Sequence, residues 1–131
     1  MDQFEVTVGA GTLRSTAAEA VHFPHRWTPE GVSVEAPFTG AHLLHLSAAG
    51  CVLNDIYREA LALDLHLDGV RVWAGGRFDM ETWASHGITY HVDVDSPASP
   101  EDLARLLDRV DQVAEIPRAI RAGATVQRDR P

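Results

Sequence analysis

Cys51 is the only cysteine of the chain, and it stands inside an unbroken Leu- and Ala-rich stretch running from Thr39 to Leu63. The reactive form of such a residue is the thiolate, and an ordinary thiol with a pKa of about 8.5 is only a few per cent ionised at neutral pH. A catalytic Cys51 therefore needs a cation beside it. Arg26, and after it Arg14, lie in preceding segments that can fold over the stretch, and Arg58 follows two helical turns on. Asp55, one turn on, pushes the other way, because a nearby carboxylate raises a thiol pKa. With no second cysteine, an oxidised sulfur would need an external thiol reductant.

His42 and His45 are three residues apart, and His22 and His25 flank Pro24. Each pair offers two imidazoles on one side of the backbone, but two ligands are a weak metal signal, and core or interface histidines are the plainer reading. No metal and no cofactor is expected. His91 alternates to the polar face of a strand. Trp27 and Phe23, in or beside the Pro-bounded segment before Gly31, are the expected substrate contacts, together with Leu44 and Ser47 on the Cys51 side of the helix. Trp73, Trp83, Phe78 and Tyr57 read more simply as core.

These residues are positioned by a recognisable succession of elements. Phe4, Val6 and Val8 alternate with polar neighbours as a half-buried strand does. Leu13 to Thr16 is the expected return strand, Ala20 to Phe23 a third, and Val32 to Glu35 another that ends at Pro37. Thr39 or Gly40 caps the long helix, whose apolar face holds Leu46, Ala49, Val52, Leu53, Ile56 and Ala60. The second stripe carries Ser47, Cys51, Asn54, Asp55 and Arg58. Leu65 to Val72 forms a strand with Gly69 as a possible bulge and Gly75-Gly76 as an interruption, and Ile88 to Val94 alternates strictly. Ser99-Pro100-Glu101-Asp102 starts a second helix, and Ala124 to Gln127 suggests a last strand. The sum is one α+β domain over residues 1–131 with a mostly antiparallel sheet.

A net charge of −8 on 131 residues argues against nucleic acid or an acidic membrane as partner. No run is apolar enough to cross a bilayer, no secretory signal opens the chain, and one thiol suggests a reducing, cytoplasmic compartment. Phosphate loops, serine-hydrolase elbows and dinucleotide fingerprints are missing from the sequence. A long helix apolar on most sides exceeds what one small sheet and one further helix cover, so a homodimer is expected.

The order of elements, the segment FTGAHLLHLSAAGC and the Ile116-Pro117 corner together resemble the OsmC/Ohr family of osmotically inducible and organic hydroperoxide resistance proteins. Members show a Pro-Glu-x-Leu helix start, then small residues, then a cysteine ten positions after the Glu. Leu43, Ala48, Ala49, Gly50 and Cys51 match that pattern. The resemblance implies an OsmC-like intertwined homodimer with a site at the subunit boundary, and a cysteine that reduces organic hydroperoxides. The chain departs from the family at two places. Gly40-Ala41 replaces Pro-Glu, removing the acid that would hold the arginine, and Ile116 stands where many members place a second cysteine. Two readings follow. One is a one-cysteine peroxidase in which Cys51 attacks a small organic hydroperoxide, Arg26 or Arg14 supplies the cation, and an outside thiol is the reductant. The alternative is a non-catalytic dimer binding a small apolar ligand in the altered site.

Overall fold

The computed structural model describes residues 4–130. Its centre is α1 (Gly40–Ala62), which opens as the sequence predicts: the Thr39 side chain accepts the His42 backbone N–H at 3.1 Å. The helix closes on a left-handed residue, Asp64 at φ 55°, and Leu65 N–H bonds back to Ala60 O at 2.9 Å. That six-to-one bond satisfies a carbonyl the helix end would leave bare.

Five antiparallel strands form one sheet in the order β2-β3-β1-β4-β5. They are β1 (Val6–Gly11), β2 (Val21–Phe23), β3 (Val32–Glu35), β4 (Gly69–Phe78) and β5 (Ser85–Asp95). In β1 and β4 the alternation puts Val6, Val8, Ala10, Val70, Val72 and Ala74 on one buried face, and α1 packs across those two strands through Val52, Leu53 and Ile56. Helix α2 (Pro100–Val113), capped by the Ser99 hydroxyl, adds Leu106 and Val110 to the same core.

Four sequence expectations change here. Leu13 to Thr16 is not a strand: Leu13 N–H turns back to Ala10 O at 3.2 Å, and Ser15 N–H donates to the buried Ser33 hydroxyl at 2.8 Å, so a side chain takes the backbone bond a strand partner would have supplied. Gly75-Gly76 does not interrupt β4. Gly76 is required there, because a Cβ would come within 2.8 Å of His45 Nε2 and 2.3 Å of Gly87 O. The bulge lies between Gly76 and Phe78, while Gly69 pairs regularly with Asp95 and Gly11. Residues 124–127 form no strand; the chain instead turns at Ala114 into α3 (Glu115–Ala122). Pro117 sits in its first turn, where no backbone N–H is needed.

His45 fills the core under β4, fully buried, with Nδ1–H donating to Ala41 O at 2.7 Å. Phe4 stacks parallel to its ring at 6.5 Å and Phe78 meets its edge at 5.9 Å. His42 bonds the Thr39 hydroxyl at 2.6 Å. One imidazole is thus packed among aromatic rings, and the other bonds the hydroxyl that caps α1.

Ile56 is completely enclosed between α1, the sheet and α2. Truncating it to Ala is expected to cost about 2–5 kcal/mol, read as a lowered urea midpoint at unchanged slope.

Candidate functional site

Two places converge on α1, on neighbouring flanks. The first surrounds Cys51, which is half-buried. Its Sγ lies 3.8 Å from Asp55 Oδ2, one turn further along α1, and 3.7 Å from Glu115 Oε2 at the start of α3. The Ile116 backbone N–H donates to the sulfur at 3.5 Å. Both carboxylates are tied to one guanidinium. Arg58 Nη1 is 2.8 Å from Glu115 Oε1 and 3.3 Å from Asp55 Oδ1, while its Nε donates to Glu59 at 3.1 Å. Glu59 is also held by Arg109 of α2 at 2.9 Å. The sulfur therefore sits where α1, α2 and α3 are clamped by one charge network.

The charges of that network decide the state of the thiol. Burial pushes the Cys51 thiol above its ordinary value, the Ile116 N–H pulls it partly back, and Asp55 and Glu115 push it up again. Arg58 reaches the sulfur only through carboxylates that cancel its charge. Burial and a hydrogen bond shared with Glu115 push Asp55 up to about 6, against the pull of Arg58. Glu115 goes the other way, down to about 2, because it accepts the Arg58 hydrogen bond. The result is a protonated sulfur at neutral pH.

Cys51 Sγ and one oxygen each of Asp55 and Glu115 lie within 4.8 Å of one another, a donor set able to hold a divalent cation among the described residues. Arg58 already supplies the positive charge such an ion would bring.

The second place is a cavity of about 260 Å³ between α1, the sheet and the segment after β2. Val8, Phe23, Pro24, Val32, Val34, Leu46 and Leu53 make its wall apolar, Gly50 opens it towards the helix, and His25 and Asn54 are its polar members. His25 is locked in place. Its Nδ1 bonds Thr28 Oγ1 at 2.7 Å, its Nε2 bonds Asn54 Oδ1 at 3.0 Å, and its ring meets Trp27 and Tyr57, each at 5.5 Å. A second hollow, slightly larger at about 280 Å³, lies between Ala48, β5 and α3 and is lined by Ile88, Tyr90, Pro117, Ile120 and Arg121.

Of the residues singled out in the sequence, the fold brings Phe23 to the cavity and sets Trp27 behind His25. Ser47 is turned to its own helix, donating to Leu44 O at 2.6 Å, and Leu44 lines neither hollow. Within one chain, Arg14 and Arg26 are not among the partners of Cys51. Arg14 Nε donates to Gly11 O at 3.1 Å, and the Arg26 guanidinium lies 5.5 Å from the Trp27 ring centre. Glu115 and Asn54 carry more of the two sites than the sequence reading gave them. Glu115 reaches Cys51 from 64 positions away, and spacing within α1 contains no trace of that contact.

With the geometry in hand, the class of protein follows from its shape. No family model matches the sequence, and no curated protein matches it. Solved structures do. An OsmC-like protein from Mycoplasma pneumoniae is similar with a TM-score of 0.57 at 12% identity, over 82% of this chain and 89% of that one. An OsmC-like hydroperoxide resistance protein from Jannaschia sp. CCS1 is similar with a TM-score of 0.51 at 14% identity, over 95% and 91%. This chain has the OsmC/Ohr fold, as its central helix led one to expect. At such identities the likeness is one of fold, and chemistry must be argued from this chain's own side chains.

Asp55 gives the site a pH signature. Its folded carboxyl keeps a proton up to about 6, whereas the unfolded one loses it near 3.8. The folded state therefore binds more protons in that window, and stability falls as pH rises through it. Glu115 has the opposite sign, so its contribution is lost as pH drops from 4.5 towards 2. Urea midpoints measured from pH 4 to pH 6 are expected to fall in the wild type and to flatten in Asp55→Asn. The same variant should alkylate faster at Cys51 with iodoacetamide at neutral pH, since one carboxylate holding the thiol proton is gone.

Proposed function

We propose that this chain is a divergent member of the OsmC/Ohr family that acts as a homodimer and binds a small apolar molecule in the cavity beside Phe23, His25 and Asn54, with Cys51 a resting neutral thiol. The observation that carries this reading is the cavity itself. It is an open cleft of about 260 Å³ with seven apolar side chains in its wall, the concave, mainly apolar lining that small-molecule sites share. The state of Cys51 agrees with it, because a sulfur facing two carboxylates is a poor nucleophile.

Support for two copies comes from α1. Leu61 is 71% exposed and Leu63, just after it, 42%, and Leu43 and Leu44 are only half-buried. Among the described residues no helix is long and apolar enough to cross a membrane. Together with an unpaired thiol, this fits a cytoplasmic setting.

The peroxidase reading keeps one observation in its favour: the Ile116 N–H already points at Sγ, and Arg58 stands one carboxylate away. Its chemistry would run through the thiolate attacking the peroxide oxygen, releasing an alcohol and leaving a sulfenic acid; two equivalents of external thiol would return that to the thiol, giving water and one disulfide of the reductant. It needs a guanidinium at the sulfur, either Arg26 or Arg14 as the sequence suggests, or Arg58 freed from Glu115.

Intact-mass measurement after one equivalent of cumene hydroperoxide separates the two. Binding predicts an unchanged mass and equal peroxide consumption by wild type and Cys51→Ser in excess dithiol. Prompt addition of one oxygen at Cys51, with consumption lost in the variant, would replace the binding reading with the enzymatic one. For the cavity, α-methylstyrene is expected to raise the melting temperature of the wild type and not of Leu46→Trp, whose indole fills the space. Sedimentation should give twice the chain mass at micromolar concentration.

A further inference from the structure

The cavity that the proposed function relies on is not uniformly apolar, and its one polar corner has a definite hydrogen-bond sense. Asn54 Oδ1 can only accept, so the imidazole nitrogen 3.0 Å away, His25 Nε2, carries a hydrogen. In neutral His25 the other nitrogen is then bare, and Nδ1, at 2.7 Å, is the nearer of two acceptors for the Thr28 hydroxyl hydrogen, the other being Gly31 O at 3.3 Å. This chain of donors accounts for both ring nitrogens and for Asn54 Oδ1. It leaves the Asn54 amide hydrogens with no partner among the described residues, on a side chain that lines the cavity and is only half-buried.

We infer that Asn54 makes the cavity selective for uncharged, mainly hydrocarbon molecules bearing a single hydrogen-bond-accepting oxygen, such as small ketones, aldehydes or ethers. This deepens the binding reading above and rests on it. No lysine or arginine lines the cavity, so a carboxylate would enter without a counter-charge and lose its hydration. A ligand that accepts meets a fixed N–H donor, held in orientation by the Thr28–His25–Asn54 chain and backed by the Trp27 and Tyr57 rings. Scaled from benzene in its ~150 Å³ cavity, the volume of about 260 Å³ suits a ligand of about ten non-hydrogen atoms.

Acetophenone and α-methylstyrene test this directly, because they share size and shape and differ in C=O against C=CH2. The measured quantity is the ratio of their dissociation constants, by calorimetry or by quenching of tryptophan fluorescence, in wild type and in two variants. Asn54→Leu removes every polar atom. Asn54→Asp keeps an acceptor for His25 and the side-chain shape while removing the donor, so it serves if the leucine variant folds poorly. Each variant is expected to shift the ratio about fivefold against acetophenone, the worth of one net hydrogen bond, with α-methylstyrene affinity in Asn54→Leu held or improved. The side-chain amide resonances of Asn54 should move on adding acetophenone and stay put with α-methylstyrene. If both probes bind and the ratio is the same in all three proteins, the assigned selectivity is wrong while the binding reading stands. If neither probe binds the wild type, both are wrong together.

Discussion

Everything in this fold depends on burying one face of α1 against β1 and β4. The sheet supplies Val6, Val8, Val70 and Val72 and the helix supplies Val52, Leu53 and Ile56, all but sealed from solvent. A small antiparallel sheet covered on one face by helices needs this contact more than any other, since each fully buried aliphatic side chain contributes about 1.5–3 kcal/mol. The contact also sets the rotation of the helix. Once the valines and Ile56 face the sheet, Gly50 and Asn54 turn to the segment that follows β2, and Cys51, Asp55 and Arg58 turn towards α3. Packing thus assigns the two candidate sites to their flanks before any polar interaction acts.

On the Cys51 flank, electrostatics decides what packing has permitted. A thiol at the start of a helix with one arginine beside it would be activated. Here the arginine is shared among Asp55, Glu59 and Glu115, and two of those carboxylates also face the sulfur. The network clamps α1, α2 and α3 together, and the same contacts keep the proton on Cys51. Its local logic is structural: the charges are spent on one another. A low pKa for Glu115 and a raised one for Asp55 are the two halves of a carboxyl pair around one cation, in which one member ionises readily because the other resists.

The likeness to OsmC-like structures is one of fold, and it is compatible with Ala41 and Ile116 standing where the resemblance led one to expect a Glu and a second cysteine. A fold can persist while its site is rebuilt, because core valines and leucines answer to burial and site residues answer to chemistry. Ala41 accepts nothing through its side chain; its carbonyl instead accepts the Nδ1–H hydrogen bond of the buried His45. Glu115, from a helix that follows the one expected to be last, occupies the space beside the sulfur. From the start of α3 it restrains Arg58 and the thiol alike.

Local pattern was enough for much of this. The capped start of α1, the alternation in β1, β3 and β5, the Ser99 cap of α2 and the placement of Cys51 on the more polar side of its helix were all legible, because each depends on residues within a turn or two of one another. The fold class followed from their order. The irregular stretch after β1, the unbroken run of β4 through Gly76 and the helix α3 were decided by partners distant in sequence: the Ser33 hydroxyl, the His45 ring and the clamp on Glu115. The same holds for the sites. Sequence could name Cys51 and Phe23, but only the folded chain could put Glu115 against the sulfur and His25 against Asn54, because such contacts are made by loop closure over dozens of residues and leave no period in the sequence.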